Sequence, residues 1–315
     1  MKILIAEPLG ISAEALKAFI TPLEAVGHQV ICYEDKPNAQ ALSRRAAEAD
    51  ALVIANTPLP ASVIAVCPHL RYIDVAFTGV DHIDLEACRQ RGIPVSNAAG
   101  YSDLAVAELT VCMAISLLRR LPECDGAVRA LSTSAGLRGG EIAGKTVGII
   151  GLGRIGLRVA RLMQAFGAAV VANSPHEKRE ALERGIRYLP LEELLALSDI
   201  VTLHAPNNAS TRGMMGAAQF AQMKTGALFI NCARGALVDQ QALADALNSG
   251  HLAGAAVDVY PAEPPLSEDD PLLHAKNCIL TPHIGFDTRE AMLRRAETVF
   301  DNLNAWLDGA PKNLV

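Results

Sequence analysis

Short apolar runs typical of β-strands alternate with helical segments along nearly the whole sequence of 315 residues. This alternation is the signature of parallel βαβ units. Most of the runs are apolar throughout, which is typical of strands that helices cover on both faces. The pattern therefore predicts an α/β protein with two doubly wound parallel sheets. The runs of the first sheet are "KILIAE", "QVICYE", "ALVIAN", "RYIDVA" and "IPVSNA", and those of the second are "TVGIIG", "AAVVAN", "DIVTLH", "ALFINC", "AGAAVDV" and "NCILTP".

Charge and hydropathy exclude several classes of partner. The net charge of −6 comes without any block of like charges, so we expect no nucleic-acid partner. The N-terminal stretch "MKILIAEPLG" lacks the apolar core and the cleavage site of a signal peptide. The longest apolar helix, "LAVAELTVCMAISLL", is shorter than the about 20 residues that span a bilayer, and it contains Glu108. The sequence therefore predicts a cytoplasmic protein with no membrane partner.

Seven cysteines are present, and they form no CxxC pair. Most of them lie within the apolar strands and helices. Buried free thiols in a reducing compartment are the expected state, and we predict no metal site. The positions are Cys32, Cys67, Cys88, Cys112, Cys124, Cys232 and Cys278.

A long helix and a connection rich in glycine, serine and alanine separate the two sets of strands. The helix is predicted from about Leu104 to Leu121, and the connection runs from there to Gly144. A connection of this length usually has a function. We expect the segment from Leu104 to Gly144 to lie in a two-fold interface and to reach a partner subunit.

The motif "GLGRIG" joins the strand "TVGII" to an amphipathic helix. Gly151 permits a tight turn, Gly153 lets the backbone approach a pyrophosphate, and Gly156 lets the helix pack closely on the strand. The first turn of the helix adds N–H groups that have no partner within the helix. This arrangement predicts a dinucleotide-binding site. The alternative is that the three glycines serve only a tight turn.

Three charged side chains follow strands of the second set. Arg234 follows "ALFINC", Glu263 follows "AGAAVDV" and His283 follows "NCILTP". Ligands of open α/β sheets bind at the carboxyl ends of the strands, where these residues would converge. An arginine can grip a carboxylate with two parallel hydrogen bonds, and a carboxylate beside an imidazole favours the protonated ring. The three residues therefore suit the reduction of a carbonyl group, with the histidine as general acid.

The sequence resembles the D-isomer-specific 2-hydroxyacid dehydrogenases over nearly its full length. The motifs that carry the resemblance occur in the order and spacing of that family: "GLGRIG", "LHAPNNASTRGMM", "INCARGALVD", "AAVDVYPAEPP" and "LTPHIG". The resemblance implies a flavodoxin-like substrate-binding domain of residues 1–98 and 287–315, to which the last helix returns, and a Rossmann-type dinucleotide-binding domain of residues 99–286. It also implies a homodimer.

The resemblance assigns roles to individual residues. It implies that Arg234 binds the substrate, Glu263 supports the histidine and His283 transfers the proton. It also implies that the substrate is bound by Asn56 and by the backbone amides of Gly79 and Val80. Among the cofactor-binding residues, Val106 would lie against the nicotinamide, and Asp258 would orient its carboxamide. The full set is Val106, Gly151, Gly153, Arg154, Ile155, Gly156, Ser174, His204, Ala205, Pro206, Thr211, Cys232, Ala233 and Asp258.

Ser174 bears on the choice between NAD and NADP. It directly follows the strand "AAVVAN", where an acid would bind the ribose hydroxyls of NAD and repel the 2′-phosphate of NADP. Since this position is neutral and His176, Lys178 and Arg179 follow, we expect NADP to be accepted and to be favoured over NAD. The alternative is that Lys178 and Arg179 only line the solvent face of the next helix.

The predicted function is the interconversion of a small 2-oxo acid and its D-2-hydroxy acid. Glyoxylate or hydroxypyruvate is the expected substrate, because "NAAGYSDLAVAEL" resembles the reductases of these acids. The phosphoglycerate branch of the family carries an arginine where this chain has Ala55, so a phosphorylated substrate would lack its counter-charge. A nucleotide-sensing protein like the corepressors of the same fold is the alternative, and a turnover assay separates the two. Formate or phosphite oxidation fits the Arg, Glu and His pattern less well.

Overall fold

The computed structural model describes residues 1–315, and these form two compact units. The first unit comprises Met1–Ser102 and Asp287–Val315, and the second comprises Asp103–Phe286. Each unit contains one parallel sheet, with five strands in the first and seven in the second. The predicted fold class, two parallel-sheet α/β domains, is confirmed. The assignment of one unit to the substrate and the other to the cofactor stays a prediction.

The strands and helices alternate as the sequence pattern indicates. The strands are β1 (Lys2–Ile5), β2 (Gln29–Cys32), β3 (Ala51–Ile54), β4 (Tyr72–Val75), β5 (Val95–Asn97), β6 (Thr146–Ile150), β7 (Ala169–Asn173), β8 (Arg187–Tyr188), β9 (Ile200–Leu203), β10 (Leu228–Asn231), β11 (Gly254–Val257) and β12 (Cys278–Leu280). The helices are α1 (Ala13–Ala25), α2 (Ala39–Ala46), α3 (Ala61–Ala65), α4 (Leu85–Gln90), α5 (Asp103–Arg119), α6 (Leu121–Arg129), α7 (Arg154–Ala165), α8 (Arg179–Glu183), α9 (Leu191–Leu197), α10 (Ala217–Gln222), α11 (Gln240–Asn248) and α12 (Arg289–Leu307).

The first unit has the strand order β2-β1-β3-β4-β5. All residues of β3 and β4 are buried, as expected for central strands covered on both faces. The last helix, α12, packs against this sheet. Its Trp306 stacks on Tyr72 of β4 with the ring centroids 4.7 Å apart, and Phe300 stacks on Phe19 of α1 at 4.9 Å. Aromatic stacking thus adds to the burial that holds the end of the chain on the first sheet.

The second unit has the strand order β12-β11-β10-β9-β6-β7-β8. The chain enters at β6, runs outward through β7 and β8, and then continues from β9 on the other side of β6. The strand order therefore reverses beside the carboxyl end of β6, which is where open α/β sheets bind ligands. Strand β8 was not predicted, because a strand of two residues is too short to show a periodic pattern.

Two sequence-based expectations need correction. The long helix α5 ends at Arg119, since Arg120 has a left-handed backbone with φ +52°, and the connection after it begins with a further helix, α6. All seven cysteines are free, but Cys32 and Cys112 are exposed rather than buried. Cys32 ends the edge strand β2, and helix α5 leaves Cys112 on its outer face, so neither position is covered by a second layer.

None of the helices combines the length and the apolar content that are needed to cross a membrane.

Candidate functional site

The glycine-rich turn after β6 is shaped by close backbone contacts. Gly151 has φ +93°, and a Cβ atom there would lie 2.6 Å from the backbone nitrogen of Ala205. A Cβ atom at Gly156 would collide with the carbonyl oxygen of Gly151. Both positions therefore require glycine. A Cβ atom at Gly153 would meet nothing within 4 Å, so space is open above the start of α7. This open cradle at a helix N-terminus fits a pyrophosphate.

Arg154 and Ile155 form the first turn of α7. The Nε atom of Arg154 donates a hydrogen bond to Oδ2 of Asp103 at 2.7 Å. Asp103 is buried, while the Arg154 side chain is 70% exposed. Ile155 is half-buried and packs against the core of the second unit. The arginine is thus anchored through one nitrogen beside the glycine-rich turn. Sequence reasoning did not identify Asp103 as its partner.

The segment after β9 forms the wall that Gly151 approaches. The Nε2 atom of His204 lies 3.0 Å from the hydroxyl of Thr202, and burial of the ring lowers the pKa of His204 to about 3. His204 is therefore a neutral side chain near pH 7. The hydroxyl of Thr211 donates to the carbonyl oxygen of Pro206 at 2.6 Å. Ala205, Pro206 and Thr211 are consequently held in one turn.

The loop after β10 carries Arg234. The buried side chain of Asn231 braces this loop, because its Oδ1 accepts from the amide of Ala233 and its Nδ2 donates to the carbonyl of Arg234, each at 3.0 Å. The Nη1 atom of Arg234 donates to the carbonyl of Ala233 at 2.8 Å. Cys232 is buried, and this burial raises the pKa of its thiol to about 12. Cys232 therefore contributes an uncharged wall rather than a nucleophile.

Asp258, directly after β11, connects two neighbouring strand ends. Its Oδ1 accepts from the hydroxyl of Thr281 (2.6 Å) and the amide of Ile284 (2.8 Å), and its Oδ2 accepts from the amide of Gly285 (2.8 Å). The phenol of Tyr260 lies 3.0 Å from the carbonyl oxygen of Thr281. These contacts fix the loop that contains His283.

Val106 lies near the same loop. It is a buried residue of α5, and its Cγ2 would lie 3.5 Å from a Cβ atom at Gly285. A side chain at Gly285 would also approach Oδ2 of Asp258 at 2.9 Å. The glycine thus allows the loop after β12 to pack against both α5 and Asp258.

Glu263 and His283 form a pair across two adjacent loops. The Nδ1 atom of His283 lies 2.9 Å from Oε1 of Glu263. The side chain of His283 is 18% exposed and that of Glu263 is 48% exposed. His283 has a left-handed backbone with φ +57°, a conformation that few non-glycine residues adopt. The pair has the geometry of an imidazole that a carboxylate orients.

Ser174 is half-buried directly after β7 and is followed by a loop of mixed charge. Arg179 forms an ion pair with Glu183 at 2.7 Å within α8, and its side chain is 92% exposed. The backbone amide of Lys178 donates to the hydroxyl of Tyr188 in β8 at 2.9 Å. Arg179 therefore lies on the solvent face of α8, while the edge strand β8 fixes the backbone at Lys178.

The residues predicted to bind the substrate in the first unit lie at the carboxyl edge of its sheet. Asn56 follows β3 and is half-buried between two buried neighbours. Gly79 and Val80 follow β4 and are also half-buried. The carbonyl oxygen of Thr78 accepts a hydrogen bond from Nδ2 of Asn97 at 2.8 Å, which fixes the start of this loop.

The second unit thus brings together most of its predicted residues. The loops that carry Arg234, Asp258, Glu263 and His283 follow the adjacent strands β10, β11 and β12. Sequence reasoning missed the residues that brace these loops. The only available signal was their position: Asn231 and Thr281 lie within motifs already singled out, directly at strand ends.

Comparison with known proteins adds to this geometry. Residues 111–285 match the NAD binding domain of the D-isomer specific 2-hydroxyacid dehydrogenases. The chain is 37% identical to D-3-phosphoglycerate dehydrogenase of Archaeoglobus fulgidus over 99% of its own length and 58% of the relative's length. It is 33% identical to hydroxypyruvate reductase of Blautia hydrogenotrophica, with 93% of both chains covered. The chain thus spans little more than half the length of the phosphoglycerate dehydrogenase that it matches.

Two solved structures are similar over their whole length. An acyclic imino acid reductase in complex with NADPH and D-arginine has a TM-score of 0.91 at 28% identity, with 100% of both chains covered. A glyoxylate reductase from Paecilomyes thermophila has a TM-score of 0.90 at 30% identity, covering 100% of this chain and 98% of the other.

Proposed function

Because the chain belongs to the family of D-isomer specific 2-hydroxyacid dehydrogenases, we propose that it interconverts a small 2-oxo acid and its D-2-hydroxy acid with NAD(P)H. The observation that carries this proposal is the Glu263–His283 pair, with its 2.9 Å separation on loops at the carboxyl edge of a dinucleotide-binding sheet. An oriented imidazole at this edge is suited to exchange a proton with a substrate oxygen.

In the proposed mechanism, the side chains of the second unit bind and protonate the substrate. Arg234 holds the carboxylate and polarises the carbonyl group with its planar guanidinium. The Nε2 atom of His283 gives its proton to the carbonyl oxygen, because Nδ1 is held by Glu263. Glu263 stabilises the charged ring before the transfer. The nicotinamide, when bound, supplies the hydride for the carbonyl carbon.

In the first unit, we propose that the backbone amides of Gly79 and Val80 bind the substrate carboxylate and that Asn56 contributes its amide side chain. All three residues follow central strands at the carboxyl edge of the sheet. Backbone N–H groups in such loops are common anion ligands.

The cofactor fits the glycine-rich turn of the second unit. Gly153 leaves room for a pyrophosphate, the first turn of α7 offers N–H groups, and Arg154 adds a positive charge. His204, Ala205 and Pro206 form the adenosine wall, with Thr211, Cys232 and Ala233 as further lining residues. The neutral Ser174 supports acceptance of NADP, while Arg179 is paired with Glu183 on the solvent face of α8.

Glyoxylate or hydroxypyruvate is the substrate that we propose. Similarity to a hydroxypyruvate reductase and to a glyoxylate reductase supports this choice. The competing candidate is a phosphorylated substrate, which similarity to a D-3-phosphoglycerate dehydrogenase favours. Ala55, a buried and uncharged residue in the loop after β3, favours the unphosphorylated acids.

Initial rates with a panel of 2-oxo acids test the proposal. Glyoxylate, hydroxypyruvate, pyruvate and 3-phosphohydroxypyruvate are each assayed with NADH and with NADPH by the loss of absorbance. We expect the highest kcat/KM with glyoxylate or hydroxypyruvate. A preference for 3-phosphohydroxypyruvate would assign the chain to the phosphoglycerate branch. Tight NADPH binding without any turnover would instead favour a nucleotide-sensing protein.

We also propose a homodimer that is joined through the segment from Leu104 to Gly144. Helix α6 buries none of its residues, and Leu121, Val128 and Leu131 are 50%, 72% and 97% exposed. Exposed apolar side chains concentrated in one segment support an interaction surface there. Light scattering coupled to size-exclusion chromatography should give about twice 33.3 kDa. A monomer at micromolar concentration would contradict the dimer.

A further inference from the structure

Glu7 is a buried carboxylate at the carboxyl end of β1, and no role proposed above uses it. Only 3% of its surface is exposed. Its Oε1 accepts hydrogen bonds from the backbone amides of Ala55 at 2.8 Å and Thr57 at 3.0 Å. Removing a carboxylate from water is costly unless hydrogen bonds replace the lost solvation. The two amides therefore account for the presence of an acid at this buried position.

The two amides stand on either side of Asn56. Ala55 and Thr57 are 6% and 1% exposed, whereas Asn56 is half-buried. The loop after β3 thus presents one polar side chain between two buried residues. Both hydrogen bonds end on the same oxygen of Glu7, so a single atom fixes the backbone on both sides of Asn56.

A second buried charge supports this arrangement. Arg295 of α12 is 4% exposed, and its guanidinium attracts Glu7 electrostatically. The Nη2 atom of Arg295 lies 3.4 Å from the carbonyl oxygen of Pro8, the residue that follows Glu7. Hydrogen bonds to a carboxylate are roughly twice as strong as those between neutral groups. The pairing of Glu7 with two amides is therefore well suited to hold a loop in one conformation.

We propose that Glu7 is a positioning residue for substrate binding, acting through the loop from Ala55 to Thr57. This inference rests on the proposed function, in which Asn56 contacts the substrate. Glu7 holds the loop in its binding conformation before the substrate arrives, so that no binding energy is spent on ordering it. The effect falls on the 2-oxo acid and not on the cofactor, since Glu7 and its partners all belong to the first unit.

Three substitutions of Glu7 separate the effect of the position of the acceptor atom from the effect of its charge. Glu7→Ala removes the acceptor of both hydrogen bonds, and we expect the KM of the 2-oxo acid to rise about tenfold or more, as loss of even one charge-assisted hydrogen bond implies. Glu7→Asp keeps the charge but withdraws the acceptor by one methylene, so its KM should also rise. Glu7→Gln keeps an oxygen acceptor of the same reach but loses the charge, so its KM should rise less than that of Glu7→Asp. In all three, the Kd of NADPH from fluorescence titration should be unchanged.

Asp50→Ala is the matched control. Asp50 precedes β3, at the opposite edge of the same sheet, and its Oδ2 also accepts a hydrogen bond from a backbone amide, that of Lys2, at 2.7 Å. This variant should lose stability without a change in the KM of the 2-oxo acid. An equal rise in KM for Asp50→Ala and Glu7→Ala, or a Glu7→Asp enzyme with the KM of the wild type, would overturn the inference. Where Glu7→Ala does not fold, the comparison of Glu7→Asp with Glu7→Gln decides.

Amide hydrogen exchange gives a readout that does not depend on turnover. The amides of Ala55 and Thr57 should exchange slowly in the wild type and in Glu7→Gln, and faster in Glu7→Asp. Unchanged exchange in Glu7→Asp would reject the positioning role, whatever the enzyme turns over. A wild-type protein that reduces no 2-oxo acid would refute the proposed function and, with it, the role of Glu7 in substrate binding.

Discussion

The two units bury an aspartate in different surroundings. In the second unit, Asp258 stands directly after β11 and accepts three hydrogen bonds from Thr281, Ile284 and Gly285. In the first unit, Asp74 lies within β4 and accepts one hydrogen bond, from Nδ2 of Asn302 at 3.1 Å. Its other oxygen has no partner, and burial raises the pKa of Asp74 to about 8. Asp74 is thus largely a neutral carboxyl group at pH 7.

The number of hydrogen-bond donors within reach explains why Asp258 accepts three hydrogen bonds and Asp74 only one. Inside a strand, the backbone N–H groups pair with the neighbouring strands and are not available to a side chain. Beyond the end of a strand, loop amides have no ladder partner, and a carboxylate can collect them. We therefore expect polar changes at the strand ends of the second unit to alter turnover, and a change at Asp74 to alter the pH dependence of stability.

The largest effect is expected for His283→Ala. General acid catalysis contributes about 10²–10⁴-fold, so kcat for 2-oxo acid reduction should fall by that factor. The free energy of unfolding should change by less than about 1 kcal/mol, since the side chain lies at the edge of the sheet rather than in the core. Steady-state rates and urea unfolding measure the two quantities. Turnover within about threefold of the wild type would remove His283 from the mechanism.

Asp258→Ala should affect both stability and turnover. The amides of Ile284 and Gly285 lose their acceptor, which should cost about 2–3 kcal/mol of unfolding free energy. The loop that carries His283 is released at the same time, so kcat should fall as well. Asp258→Asn keeps one carbonyl oxygen and serves as the milder control. A loss below about 0.5 kcal/mol, as for an ordinary surface substitution, would show that the loop does not depend on this acid.

Asp74 should make the first unit less stable as pH rises. Its pKa is about 8 in the folded protein and near the ordinary value of about 4 in the unfolded chain. Between these values the unfolded chain binds fewer protons, so the unfolding free energy should fall by up to about 1.4 kcal/mol per pH unit. The stabilisation is fully present below pH 4 and is lost by about pH 8.

Asp74→Asn provides the comparison for that prediction, because an amide does not titrate in this range. Urea unfolding at a series of pH values should show the wild type losing its advantage over Asp74→Asn from about pH 4 to about pH 8. A constant difference between the two proteins over this range would mean that Asp74 does not change its protonation on unfolding.

The smallest effect is expected for Ser174→Asp, which adds a carboxylate at a strand end of the second unit. The new charge would repel the 2′-phosphate of NADPH at a partly exposed site, where such repulsion is worth about 1 kcal/mol or somewhat more. The ratio of kcat/KM for NADH to that for NADPH should rise roughly tenfold. Ser174→Asn is the uncharged control. A wild-type enzyme that already prefers NADH about a hundredfold would contradict the inference from Ser174.

The sequence predicted the strands better than it predicted the links between them. Eleven of the twelve strands coincide with apolar runs, and the exception is β8, whose two residues show no periodicity. Helix α6 was missed because "PECDGAVR" combines a proline and a glycine with few apolar residues. The sequence predicted two doubly wound sheets but not the order of the strands within each sheet, since that order depends on which faces the crossover helices cover.

In the candidate site, too, the sequence predicted the positions of residues better than the contacts between them. The positions of Arg234, Glu263 and His283 after consecutive strand runs were visible in the sequence, because parallel strands bring their carboxyl ends to one edge. The contacts that brace the loops of these three residues were not visible in the sequence. Nothing in the local sequence shows that Asn231 supports the Arg234 loop or that Asp258 binds the backbone at Ile284.

The sequence by itself determined the two parallel sheets, the glycine-rich turn and the edge at which the charged residues lie, since each depends on residues close together in the chain. The tertiary structure alone decided that Glu7 holds the loop from Ala55 to Thr57 and that Asp74 is neutral, and it gave the expected Glu263–His283 pair its 2.9 Å contact. These outcomes join residues 20 or more positions apart, or depend on complete burial, and both arise only when loops and helices pack.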